Sequence, residues 1–153
     1  MKAYRIHEYG DAAKFIEDEV NKPSAKQGHV VVEVQASSLN PIDHKLLKSD
    51  LGINPALPGI LHMDVAGVIT EVGEGVTAFK TGDEIYGCAG GLQGEAGNIE
   101  GALAEYMLAD SNLIALKPKA LSFSEAAALP LVSITAWEGL FDRGGINKGS
   151  PFV

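Results

Sequence analysis

The chain has 153 residues, 46% of them hydrophobic, and a formal charge of −8 from 12 basic against 20 acidic side chains. That apolar share can fill the core of one domain, and the charge argues against a nucleic-acid or anionic-membrane surface, which needs clustered Lys and Arg. No apolar run reaches the roughly 18 residues that span a bilayer, the start Met1-Lys2-Ala3-Tyr4-Arg5 lacks a signal-peptide core, and one cysteine, Cys88, allows neither an intrachain disulfide nor a thiolate zinc cluster; a cytoplasmic protein is expected.

Met1 to Ile6 reads as a strand, Glu8-Tyr9-Gly10-Asp11 as a turn, and Phe15 to Val20 as a second extended piece. After a surface turn over Asn21 to Gly28 comes the strongest strand signal. Val30, Val32, Val34 and Ala36 share one face, opposite polar Glu33, Gln35 and Ser37. This strand runs into Asn40-Pro41-Ile42-Asp43: a helix N-cap, a proline suited to the first helical position and an acid in the first turn. The helix should end near Ser49 with Leu46 and Leu47 toward the core, followed by a Pro- and Gly-punctuated loop from Leu51 to Pro58.

Val65 to Val72 reads as an apolar strand in which Gly67 marks a bulge or a close backbone approach. Gly73-Glu74-Gly75-Val76-Thr77-Ala78 matches the dinucleotide pattern Gly-x-Gly-x-x-Gly/Ala, but β-prone residues and a Gly82-Asp83 turn follow it, so a hairpin is expected where the fingerprint needs a helix N-terminus. Glu84 to Cys88 is a short strand, Ala89 to Glu100 a glycine-rich loop, Gly101 to Ala109 a strand, and Leu113 to Leu116 another after the Asp110-Ser111-Asn112 turn. The period then changes. Ser122 and Glu125 form a capping box opening an Ala-rich helix that Pro130 ends or interrupts, and a second helix from Leu131 to Phe141 carries Ile134, Trp137 and Phe141 on one stripe until Gly144-Gly145. The tail from Ser150 to Val153 looks like the start of a further strand. A β-barrel or sandwich over residues 1–121 is thus expected to pass into a helical connection over 122–153.

The candidates for chemistry are few. No Gly-x-Ser-x-Gly nucleophile is present. His7, His29, His44 and His62 show no His-x-x-x-His spacing; a site from His44 and His62 with Asp43 or Asp64 can be drawn, but its ligands are hard oxygens and unplaced imidazoles. His62 reads first as a hydrogen-bonded buried or cleft residue, though a His beside an acid can also donate a proton near neutral pH. The hydroxyl of Thr135 is informative only if its helix lines a cleft.

Taken in order, Ser38-Leu39-Asn40-Pro41-Ile42-Asp43, Asp64-Val65-Ala66-Gly67, Val72 to Val76, Gly82 to Gly87, Gly101 to Tyr106, Ala126 to Pro130 and Thr135-Ala136-Trp137 resemble the medium-chain dehydrogenase/reductase superfamily. Within it they are most similar to the zinc-lacking, quinone-oxidoreductase-like branch. The resemblance implies a mainly β fold: a GroES-like β-barrel catalytic domain with short helices, its C-terminal helices leading toward a Rossmann domain that this chain lacks. It implies NADPH as cofactor, with NADH the other candidate, and hydride transfer to a small-molecule quinone or enone. Asn40, Asp43 and His62 are the implied catalytic positions, and Asn40 and Thr135 the implied cofactor contacts. Zinc-using relatives carry Cys at the place of Asn40 and Gly-His-Glu at His62-Met63-Asp64; an amide and a thioether do not replace thiolate and imidazole on zinc, so no metal is expected. The chain then reads as a catalytic-domain fragment, inactive alone, whose surface facing the cofactor domain allows self-association into a homo-oligomer. Two other readings compete: a non-catalytic GroES-like binding or assembly module, and a zinc-dependent alcohol dehydrogenase domain.

Overall fold

A computed structural model describes residues 1–94, 97–99 and 101–146. The architecture is mainly β with short helices, as the sequence leads one to expect. Its centre is a five-stranded antiparallel sheet in the order β10-β6-β5-β3-β9, from β3 (His29–Ser37), β5 (Asp64–Val72), β6 (Glu84–Cys88), β9 (Tyr106–Asp110) and β10 (Ile114–Leu116). A second sheet joins β1 (Lys2–Ile6) to β2 (Ile16–Glu19) and β4 (Gly59–Ile60). The main core gathers Val30, Val32, Val65, Ile69, Ile85, Met107, Ala109 and Ile114 from the inner face of the five strands. Strand β3 departs from simple alternation. Val30, Val31 and Val32 are all fully buried, whereas Val34 and Ala36 are only half-buried. The ladder with β5 shifts register between Val31 and Val32, and such an irregularity breaks the strict alternation of faces along the strand.

The stretch expected as one strand from Gly101 to Ala109 is a strand only from Tyr106. Its first half is shared among three partners: Gly101 N–H donates to the Ile60 carbonyl (2.9 Å), Ala102 N–H to His62 (2.8 Å) and Leu103 N–H to Leu61 (3.2 Å). Glu105 N–H then turns to the Lys2 carbonyl (3.0 Å), while Tyr4 N–H donates to Leu103 and Val34 N–H to Glu105. Residues 101–105 therefore bridge the two sheets and curl them around one interior, which a single ladder could not do. Only glycine fits at 101, since a Cβ there would sit 1.9 Å from the Leu61 carbonyl oxygen. The expected loop after Ala89 also holds structure, a two-stranded ribbon of β7 (Leu92–Gly94) and β8 (Gly97–Ile99). Its pairing is made by backbone groups, and period-2 patterning does not reveal three-residue strands rich in glycine. Glu95, Ala96, Glu100 and the tail from Ser150 to Val153 lie outside the described residues.

The Gly73-Glu74-Gly75 segment is a turn, closed by Val76 N–H on the Gly73 carbonyl (3.3 Å) with Gly75 at φ +82°, and no helix follows it before β6. Helix α1 (Pro41–Lys48) buries Leu46, with Leu47 half-buried, on Ile6 and Leu61. Helix α2 (Phe123–Ala127), opened by the Ser122/Glu125 capping box, sets Ala126 and Ala127 against Ala66 of β5. Pro130 then starts a new helix, α3 (Pro130–Trp137), which widens into a π-type turn over Glu138–Arg143. The Ile134, Trp137 and Phe141 stripe is exposed, Trp137 by 60%, and the Trp137 and Phe141 rings stack on each other at 4.5 Å.

Gly67 tests the close packing of β3 on β5. A Cβ there would lie 2.3 Å from the Glu33 carbonyl oxygen and 2.7 Å from Val32 Cγ1, beside the register shift between Val34 and Ala36. Gly67→Ala should therefore lower stability by about 1–3 kcal/mol in urea unfolding, whereas Gly139→Ala, which meets nothing within 4 Å, should not destabilise.

Candidate active site

At the end of β3 the chain turns through Ser37 to Asn40 into α1 and brings Asn40 and Asp43 under the start of β5. Both are buried, 5% and 1% exposed, and Asp64 beside them is fully buried. An unpaired charge at such depth is costly, so each carboxylate must be surrounded by donors. Asp43 meets this with backbone amides. Its Oδ2 accepts Asn40 N–H (2.7 Å) and its Oδ1 accepts His62 N–H (3.1 Å). The first of these belongs to a capping box on α1, whose other half is weaker; Asp43 N–H makes its hydrogen bond to the Asn40 carbonyl oxygen (3.0 Å).

Asp64 is the hub of the cluster. Its Oδ2 accepts the Ser38 hydroxyl (2.8 Å) and Asn40 Nδ2 (2.9 Å), and its Oδ1 accepts Leu131 N–H (3.0 Å) from the first turn of α3. Asn40 Nδ2 also donates to Ser38 Oγ (3.3 Å). Cys88 pairs with Asp64 across the β5–β6 ladder. Burial pushes its thiol up to about 12, with the Asp64 carboxylate, which the thiol also hydrogen-bonds, and Asp43 adding to the rise.

His62 follows the short β4 at φ +71°, the one non-glycine residue among those described with a positive φ. That conformation costs a β-carbon residue of order 1–3 kcal/mol and is held here by the Asp43 bond to its amide. The ring is half-buried. Its Nδ1 is hydrogen-bonded to Ser37 Oγ (3.0 Å), and the Phe15 ring meets it edge-on at 6.1 Å. Burial lowers its pKa below the ordinary histidine value, against the pull of Asp43 and then Asp64 in the other direction. Thr135 stands apart from this cluster on the exposed side of α3, its hydroxyl donating to the Leu131 carbonyl one turn back (2.9 Å).

The structure thus brings Asn40, Asp43 and His62 together and links Thr135 to them through the start of α3. Sequence reasoning passed over Asp64 as a hub, along with Ser37, Ser38 and Cys88. The available signal was an acid opening the apolar run Val65-Ala66-Gly67-Val68-Ile69, a place where a lone charge needs partners. A cavity of about 430 Å³ lies between β6, β10 and α3, lined in part by Cys88, Tyr86, Pro130, Ser133 and Ile134, and it touches the polar cluster only through Cys88. Met63, at the position of a zinc-ligating His in the zinc-using pattern, is half-buried. Among the described residues no group of three or more His, Cys, Asp or Glu is arranged to hold a metal, and no helix is long and apolar enough to cross a membrane.

A barrel-like β unit with a polar corner beneath its first helix and a further helix tied to it defines a GroES-like domain. The model of the alcohol dehydrogenase GroES-like domain matches residues 26–119, and the chain belongs to that family, in the quinone-oxidoreductase-like branch of the medium-chain dehydrogenase/reductase superfamily. It is 41% identical over 156 residues to the 2-methylene-furan-3-one reductase of Solanum lycopersicum, covering 100% of this chain and 40% of that protein. It is 39% identical over 143 residues to the chloroplastic NADPH-dependent alkenal/one oxidoreductase of Arabidopsis thaliana, covering 92% and 37%. The crystal structure of Escherichia coli quinone oxidoreductase complexed with NADPH superposes with a TM-score of 0.80 at 26% identity, over 94% of this chain and 41% of that one. The chain therefore spans about two fifths of the length of these relatives.

Two measurements check this site. Because His62 has a depressed pKa when folded, the unfolded chain takes up the extra proton first as pH falls; the contribution of neutral His62 is full above about 6.5 and declines below it. The loss of stability between pH 7.5 and 5.5 should accordingly be smaller in His62→Asn than in the wild type, read from urea midpoints. Cys88 should react with iodoacetamide at pH 8 at least about tenfold more slowly than free cysteine, since only the thiolate attacks.

Proposed function

We propose that this chain is the GroES-like catalytic part of an NADPH-dependent, zinc-independent oxidoreductase that transfers hydride to quinones or activated carbon–carbon double bonds. The single observation that carries the reading is the polar corner itself, Asn40, Asp43 and Asp64 closed on one another at the point where α3 begins. The names of the similar proteins, a 2-methylene-furan-3-one reductase, an NADPH-dependent alkenal/one oxidoreductase and a quinone oxidoreductase in complex with NADPH, support the cofactor and the electron-poor acceptor. A small-molecule substrate, a cytoplasmic location and self-association into a homo-oligomer belong to the same reading. The globular unit includes α2 as well as residues 1–121, because Ala126 and Ala127 are part of its core.

Zinc does not fit. The positions that would hold it offer an amide at Asn40, a thioether at Met63 and a carboxylate at Asp64, and that carboxylate is already committed to three hydrogen-bond donors from Ser38, Asn40 and Leu131. The reduced nicotinamide supplies the hydride when bound, and the protein's task is to orient it, exclude water and hydrogen-bond the acceptor. Asn40 and Thr135 are the polar groups we assign to the nicotinamide side. Asp43 serves from below by fixing Asn40 and His62. His62, kept neutral by burial, acts with Ser37 as a hydrogen-bonding pair at the acceptor rather than as a stored imidazolium.

The protein made from its intact gene, assayed against a panel of quinones and enones, should oxidise NADPH, retain its rate in EDTA and contain substoichiometric zinc by elemental analysis. Stoichiometric zinc whose removal abolishes turnover would falsify the metal-free reading. The 153-residue chain by itself, which shows no strand, glycine turn and helix in succession among its described residues, should give no micromolar NADPH binding by nucleotide fluorescence.

A further inference from the structure

We propose that Asp64 is a positioning residue of the nicotinamide site, clamping helix α3 to the corner that carries Asn40. The inference rests on the oxidoreductase reading above. It begins from a geometric fact, that one fully buried carboxylate joins three separate pieces of chain. One oxygen takes the Ser38 hydroxyl and the Asn40 amide, from the β3–α1 corner. The other takes Leu131 N–H, from α3.

Helix α3 needs such a partner. Its first residue, Pro130, has no N–H, so Leu131 offers the first free donor of the helix, and its N-cap residue, Leu129, has no side chain that can accept one. Asp64 supplies the missing acceptor from a different element, and its negative charge lies at the positive end of the helix. Little else holds this helix: Pro130 is buried and Leu131 half-buried, but every residue from Val132 through Gly145 is exposed. Thr135 is one turn beyond Leu131 and hydrogen-bonded to its carbonyl, so the placement of the Leu131 peptide fixes that of Thr135. Asp64 thereby sets the distance between the two polar groups, Asn40 and Thr135, that flank the cofactor in our reading. It touches neither substrate nor cofactor and acts through both of those residues.

The test uses the protein from the intact gene with Asp64→Asn, an isosteric change that keeps one acceptor but turns an NH2 toward the Asn40 and Ser38 donors. With the unfolding temperature within a few degrees of wild type, kcat should fall about 10²-fold, as expected for sub-ångström to ångström misplacement of reacting groups. The KM for the acceptor should change little, and the primary isotope effect from 4-deuterated NADPH should increase, because hydride transfer becomes slower than product release. Should Asp64→Asn fail to fold, Leu131→Pro removes the donor, with Leu131→Ala as the control for the lost side chain, and only the proline variant should show the same kinetic pattern. Unchanged kcat and isotope effect in a folded Asp64→Asn or Leu131→Pro variant overturns the proposal, since the clamp is then only structural. A wild-type protein that turns over no acceptor with either nucleotide overturns the underlying reading instead.

Discussion

The structure depends on the need of two buried carboxylates for hydrogen-bond donors. Asp43 and Asp64 lie where no water can solvate them, and a bare charge at that depth would cost several kcal/mol. Each is surrounded instead by donors drawn from distant parts of the chain: Asn40 and His62 for the first, Ser38, Asn40 and Leu131 for the second. The requirement works in both directions. It keeps the carboxylates in place, and it obliges the β3–α1 corner, His62 ahead of β5 and the first turn of α3 to meet at one point.

That meeting point explains what holds the polar corner together. An ion organises a site by gathering ligands from several elements. Here hydrogen bonds to carboxylates gather the same elements, with Asn40 donating toward Asp64 where a zinc-binding pattern has a thiolate. The strain of His62 at positive φ is held by the same means, its amide fixed to Asp43 while its ring reaches Ser37. The corner is held from beneath, with the half-buried His62 fixed through its amide by the buried Asp43.

Much of the fold was legible in the residues. The Val-rich run at 30–34, the Asn-Pro-x-Asp helix start, the Ser122/Glu125 cap and the hairpin at Gly73-Glu74-Gly75 each carry a local signal with a local cause, and each appears where that cause places it. The bend at residues 101–105 was not legible. Its amides are shared among Ile60, Leu61, His62 and Lys2, and an alternating sequence does not state which partners it will meet. The ribbon of β7 and β8 escaped notice for a related reason, since glycine-rich pairing leaves no side-chain period to read. At the polar corner, Asn40, Asp43 and His62 could be named because they fall in recognisable stretches, whereas Ser37, Ser38 and Cys88 looked ordinary.

The sequence by itself determined the main strands and helices, the amide rather than a thiolate at residue 40 and, through its ordered motifs, the class of the protein, because these are carried by short stretches of chain. Only the tertiary structure decided that Asp64 would be the common acceptor, that Leu131 would donate to it and that Cys88 would be held as a protonated thiol beside it. Leu131 N–H and Asp64 Oδ1 meet at 3.0 Å although the two residues lie 67 positions apart. Contacts of such separation are set by how whole layers close over one another, and no local stretch of chain encodes them.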